Sequence, residues 1–292
     1  MTERAVTDRG AFFAIASPPV LWLLLFFIAP LAIIWAYSFG TNASLVTIDI
    51  TGTFANYARA VEPLYLGIIL KSFWFAGLTT LACLILGFPV AIAITFASDR
   101  VRPWLLLAIM LPFWTNLLIR TYALMAVLRT EGYLNWVLAL FWSPVTALGG
   151  PAFQPLELLH TDFAVVLGLV YVQLPFMVLP LYAALDRLDR SLIEASLDLG
   201  AGHIATFRRI VVPMALPGII SGVIVTLIPS LGAFLTPDLL GGTSSMMIAN
   251  VIERQFKSAN DWPFGAALSF LLMYITFAAI AAQKMLERRH PA

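Results

Sequence analysis

The chain has 292 residues, of which 61% are apolar or aromatic and only 11% charged, with a mean hydropathy of +0.91. So little charge cannot keep the surface of a soluble domain of this length solvated, and the chain reads as an integral membrane protein. A net charge of +1 lacks the concentrated basic face that nucleic acid requires, and the single cysteine, Cys83 in an apolar run, rules out a disulfide or thiolate metal site within one chain.

Crossing a bilayer core takes about 20 apolar residues. Six stretches qualify, at residues 19–39, 68–97, 104–128, 163–185, 215–235 and 263–285. The expected organisation is an N-terminal segment 1–18, one transmembrane domain 19–285 and a tail 286–292, all α-helical. Arg4 and Arg9 before an apolar run resemble a signal peptide, but the run is too long and contains Pro18, Pro19 and Pro30, so it reads as a retained first span. With the N-terminus inside, inner segments carry Arg4, Arg9, Arg100, Arg102, Arg187, Arg190, Arg208, Arg209, Lys284, Arg288 and Arg289. Outer segments carry Arg59, Lys71, Arg120, Arg129, Arg254 and Lys257, and eleven against six places both termini in the cytoplasm.

In chain order, the first outer loop covers residues 40–67 and the second 129–162. Within the second, residues 133–142 are apolar and aromatic but too short to cross, which predicts a segment at the outer interface. The third, 236–261, contains Gly241-Gly242 and a short helix predicted at 248–256. Pro112, Pro175, Pro180 and Pro229 fall inside expected spans, where each removes a backbone donor. Lys71 and Arg120 fall near the outer ends of the second and third spans, and Lys71 reads as an interfacial anchor.

The one long inner loop, 186–214, contains a charged island, 194–213, reading EASLDLGAGHIATFRRIVVP. Ser191 and Glu194 have the S-x-x-E form of a capping box, predicting a helix start at Ser191 with Asp186 and Asp189 favouring its positive end. Glu194 and Asp198 share one face, Gly200 and Gly202 break the helix, and Arg208-Arg209 lead back to the membrane before Pro213. A helix, a glycine turn and a return helix make an element able to seat in another protein's groove.

The spacing of Glu194, Ala195, Ser196, Gly200, Ile210 and Pro213, E-A-[AS]-x3-G-x9-I-x-[LV]-P, resembles the signature loop of binding-protein-dependent ABC importer permeases. Residues 111–122 (LPFWTNLLIRTY), 170–182 (VYVQLPFMVLPLY), 237–242 (PDLLGG), 250–252 (NVI) and 261–267 (DWPFGAA) are similar to the permeases of spermidine/putrescine importers within that family. The resemblance implies the type I importer permease fold, with residues around 186–214 as a cytoplasmic coupling helix docking on an ATPase. It also implies two ATPase subunits, a second related permease in a heterodimer, a periplasmic binding protein and a bacterial inner membrane. Ser196 stands where the family usually has alanine.

Flexible polycations call for carboxylates and aromatic faces along their path. Trp114, Asn116, Tyr171, Gln173, Phe234 and Asp238 are the candidates, and each also has a plainer reading in packing, interhelical hydrogen bonding or capping. An unpaired Arg120 on the path would repel a polyamine, so it is expected to pair with a carboxylate or to face the binding protein; unpaired in the cavity, it would favour an anionic solute. Permeases for other small organic solutes (opines, amino-acid derivatives or anions) share some of these motifs. The chain carries no G-x4-G-K-[ST], H-E-x-x-H or G-x-S-x-G, and His160, His203 and His290 are scattered, so neither catalysis, a cofactor nor a metal is expected. An ion-coupled secondary transporter is the rival, but it needs acids at mid-span and gives the 194–213 loop no role.

Overall fold

The computed structural model describes residues 9–44 and 47–289; the expected terminal segments lie outside the described residues up to residue 8 and from 290. Among the described residues, five helices are long and apolar enough to cross a membrane, Ile15–Tyr37, Pro63–Thr95, Asp162–Leu185, His203–Leu231 and Trp262–Ala281. A sixth span exists only if a pair bent by 95° is counted as one. The chain forms two compact units.

One unit holds the described residues up to Leu66 with those from Ile252. It begins with α1 (Arg9–Leu23), a π turn at Leu24–Ile28 and α2 (Ala29–Tyr37). Pro30 explains the π turn: its ring clashes with the carbonyl four residues back, and a wider turn makes room without ending the helix. A two-residue antiparallel pair, β1 (Thr41–Asn42) with β2 (Ile48–Asp49), leads to α3 (Ala55–Ala60), and α14 (Trp262–Arg289) completes the unit. Asn56 Nδ2 donates to the carbonyls of Ser38 (3.1 Å) and Gly40 (2.8 Å), closing the turn after α2. Arg59 pairs with Asp261 at 2.8 Å and lies 3.9 Å over the Phe264 ring, holding α3 on the start of α14.

The other unit spans Gly67–Val251 and is built on α4 (Pro63–Thr95), α8 (Asp162–Leu185) and α11 (Val212–Leu231). These pack closely because small residues sit at the crossings. A Cβ at Gly218 of α11 would come 2.5 Å from Ala184 Cβ of α8 and 2.7 Å from the Pro180 carbonyl. Around them Cys83, Met177, Val178, Leu181 and Ala215 are fully buried, and Cys83 is a packed thiol in an apolar wall. Pro175 and Pro180 leave α8 continuous.

The expected third span, 104–128, is not one helix. α5 (Arg102–Met110) runs into a 3-10 turn at Leu111–Trp114, Thr115 is extended, and α6 (Leu117–Leu128) starts afresh. Pro112 stands in the 3-10 turn, and Asn116 turns its side chain back to accept from Leu118 N–H at 2.8 Å, making a new helix start. α7 (Tyr133–Ala147) then covers the stretch expected at the interface. The fifth span starts earlier than expected, because α10 (His203–Thr206), a second π turn at Phe207–Val211 and α11 form one continuous helix. Proline again follows a π turn, with Pro213 at the second position of α11.

Candidate functional site

The residues of the 194–213 island form a folded element at one end of the α4–α8–α11 bundle. α9 (Arg190–Asp198) starts one residue before the expected position, because Asp189 is the cap: its carboxylate accepts from Ser191 N–H at 2.9 Å. That bond holds the Asp189 carboxyl below the usual carboxylate range. Ser191 and Glu194 are therefore helical residues rather than a capping box.

The helix ends on Gly200 at φ +82°, with Gly200 N–H donating to Leu197 O (2.9 Å) and Ala201 N–H to Ser196 O (3.1 Å). These two bonds are a Schellman motif, which needs a left-handed residue at Gly200. No atom lies within 4 Å of where a Cβ would stand, so conformation and not space demands the glycine. Ser196 Oγ lies 2.9 Å from Thr206 Oγ1 and staples α9 to α10; Thr206, missed in the sequence reading, is buried.

On its inner side the element is anchored. Ile193 and Leu188 pack against the core, and Phe207 meets Phe88 of α4 edge-to-face at 5.4 Å. Arg102 bridges Asp186 (3.2 Å) and the Thr95 carbonyl (3.2 Å), joining the ends of α4 and α8 to the start of α5. On its outer side Leu199 and Ile204 are 88% and 78% exposed, beside exposed Glu194, Ala195 and Asp198. Ile210 is half-buried in the π turn and Pro213 is exposed. The element is thus an anchored helix pair with an apolar tip and an acidic flank, both exposed.

The six candidates for a solute path behave differently. Trp114, Tyr171 and Phe234 expose their rings, and Asp238 is exposed on α12 (Leu235–Leu240). Gln173 is buried at 4% exposure on α8, and Asn116 is spent on capping α6. The Phe234 carbonyl accepts from Asn250 Nδ2 at 2.7 Å, pinning the start of α12 to α13 (Ile248–Lys257), the helix expected at 248–256.

Two basic residues depart from expectation. Lys71 is no free interfacial anchor: its Nζ donates to Asp162 (3.0 Å) and the Ser244 carbonyl (2.7 Å), while Ser245 Oγ bonds the same Asp162 oxygen at 2.6 Å. Arg120 neither pairs with a carboxylate among the described residues nor faces outward. It is 9% exposed, and its Nε and Nη1 are buried without a hydrogen-bond partner among the described residues. No segment of sequence announces either arrangement.

Helices long and apolar enough to cross a membrane, with a folded and exposed helix pair at one end of the α4–α8–α11 bundle, define an α-helical membrane protein. A family profile described as "Binding-protein-dependent transport system inner membrane component" matches residues 9–290, and the chain belongs to this family of transport components. The chain is 43% identical over 254 residues, 87% of its length and 90% of the relative's, to the spermidine/putrescine transport system permease protein PotB of Escherichia coli (strain K12). The fold is similar to that of a bacterial ABC transporter importing the acidic polysaccharide alginate, with a TM-score of 0.74, 16% identity and coverage of 97% and 96%. The alginate transporter in complex with alginate pentasaccharide-bound periplasmic protein gives a TM-score of 0.71 at 16% identity, with coverage of 96% and 94%.

Proposed function

We propose that this chain is one of two permease subunits of an ATP-driven polyamine importer of a bacterial inner membrane. The α9–α10 element carries the reading, because an anchored connector continuous with a span has a purpose only if something outside the membrane pushes on it. That partner is one of the importer's two ATPase subunits, seated on Leu199, Ile204 and the Glu194–Asp198 face. ATP hydrolysis belongs to them. Both termini and this element lie in the cytoplasm, as the distribution of Lys and Arg favours. A second, related permease completes the path, and a periplasmic binding protein delivers the solute, the kind of partner captured on the alginate transporter.

The solute assignment is supported by the similarity to PotB. The exposed rings of Trp114, Tyr171 and Phe234, with the carboxylate of Asp238, offer a flexible polycation several weak contacts suited to passage rather than retention. Alternating access shifts the populations of inward- and outward-facing states of the permease pair, and ATP and loaded binding protein supply the differential affinity. The deciding experiment is uptake of labelled spermidine and putrescine into proteoliposomes holding the whole importer, with binding protein outside and ATP inside. ATP-dependent accumulation of either is expected. Uptake of a different solute in place of both would sink the polyamine reading while leaving the importer intact.

A further inference from the structure

At the end of the α4–α8–α11 bundle away from α9, the segment around α7 borders two open cavities of opposite character. The first, about 590 Å³, is a slot between α7 and the returning residues 151–156, walled by Leu138, Phe141, Trp142, Ala152, Phe153 and Leu156. The second, about 800 Å³, is polar and is lined by Arg129, Glu131, Glu157 and His160 among others. One buried side chain forms the seam between them. Asn135, 4% exposed, donates to the carbonyls of Thr130 (3.0 Å) and Leu156 (2.9 Å) and accepts from Leu156 N–H (2.9 Å). Trp142 Nε1 donates to the Pro151 carbonyl at 3.0 Å and ties the two walls of the slot together.

The surroundings say what fits. Residues 132–156 carry no charged side chain, and Trp136, Phe141 and Leu148 are 66%, 77% and 90% exposed, an apolar and aromatic surface suited to the outer membrane interface. The polar cavity beside it holds one guanidinium and two carboxylates, and among the described residues Arg129, Glu131 and Glu157 form no ion pair. His160, held at φ 62° with its N–H on the Leu240 carbonyl (2.8 Å), fixes the wall. An apolar slot running into a cavity of mixed charge complements a zwitterionic lipid. An anionic headgroup would meet two carboxylates.

We propose that this site holds one phospholipid with an ethanolamine-type headgroup: an acyl chain in the slot, the phosphate on Arg129 and the ammonium on Glu131 and Glu157. The proposal rests on the chain spanning a membrane and is independent of the solute carried. The test is acyl-chain photocrosslinking with a diazirine-labelled phosphatidylethanolamine in nanodiscs holding the whole importer, with labelled residues mapped by mass spectrometry. Labelling of residues 138–156 is expected to exceed that of the exposed apolar face of α1 at residues 20–27 by about tenfold, which corresponds to about 1.4 kcal/mol of site preference. Unlabelled phosphatidylethanolamine competes and phosphatidylglycerol does not. Ala152→Trp, which fills the slot with apolar volume, abolishes the excess; paired Glu131→Gln and Glu157→Gln erase the headgroup preference. Labelling no greater than on α1 would mean ordinary bilayer contact and would overturn the site. Protein crosslinks from the slot to the second permease or the binding protein would overturn it too. If the variants fail to assemble, the competition arm on the parent protein decides.

Discussion

Gly200 joins the most local physics in this chain to its largest expected consequence. A non-glycine residue at φ +82° costs on the order of 1–2 kcal/mol, enough to open the Schellman turn that sets the angle between α9 and α10. Gly200→Asp is expected to insert normally and to lose ATP-driven uptake; unchanged uptake per inserted subunit would remove the coupling role. Arg120 makes the opposite prediction. Its Nε and Nη1 are desolvated without partners among the described residues, so Arg120→Met removes a burial penalty while keeping the aliphatic packing. Thermal unfolding in detergent should show that variant no less stable than the parent. A destabilisation of more than about 3 kcal/mol would instead reveal a bonded guanidinium. Gly200 was legible because the signature spacing and the conformational demand coincide at one residue. Lys71 was not, since its carboxylate partner lies 91 residues away on α8 and nothing in the local sequence points to it.

At the scale of elements, the break in the expected third span was half-written in the sequence. Apolar content alone joins residues 104–128, and the periodicity of hydrophobic residues cannot register a bend. Pro112 and the Thr115-Asn116 pair ahead of an apolar run were the signal, a stop followed by a cap. Asn116→Ala should cost about 1 kcal/mol locally, read as roughly fivefold faster amide exchange at Leu118, the donor that Asn116 now holds. Asp189 gives α9 a dependence on pH with a definite sign. Because its folded pKa lies below the usual value, its contribution is complete above the ordinary carboxylate range and is lost as pH falls through the lowered value. Acidification should therefore fray the first turn of α9, and Asp189→Asn, which keeps an accepting oxygen, should flatten that dependence in amide exchange at Ser191. The five unbroken spans were legible for the simplest reason: a stretch of about 20 apolar residues has few places to go but the bilayer.

For the whole molecule, sequence and structure inform different things. The connector and its anchorage follow from a short motif with local causes, and the structure adds the staple to Thr206 and the seat of Phe207 against Phe88. The candidate solute residues share no such local grammar, which is why Gln173 turns into the core while Trp114 faces out. The continuity of α10, the π turn and α11 has a consequence for phase. In a helix each residue advances the chain by about 100° around the axis, so the π turn at Phe207–Val211 fixes the rotational setting of the α9–α10 tip against the α11 face packed on α8. Lengthening the helix after that turn by one regular α-helical residue would leave every side chain of the tip and of the span intact, yet point the tip about a quarter-turn away. The importer would then be geared out of mesh, with subunits that still insert but no longer share one axis of motion.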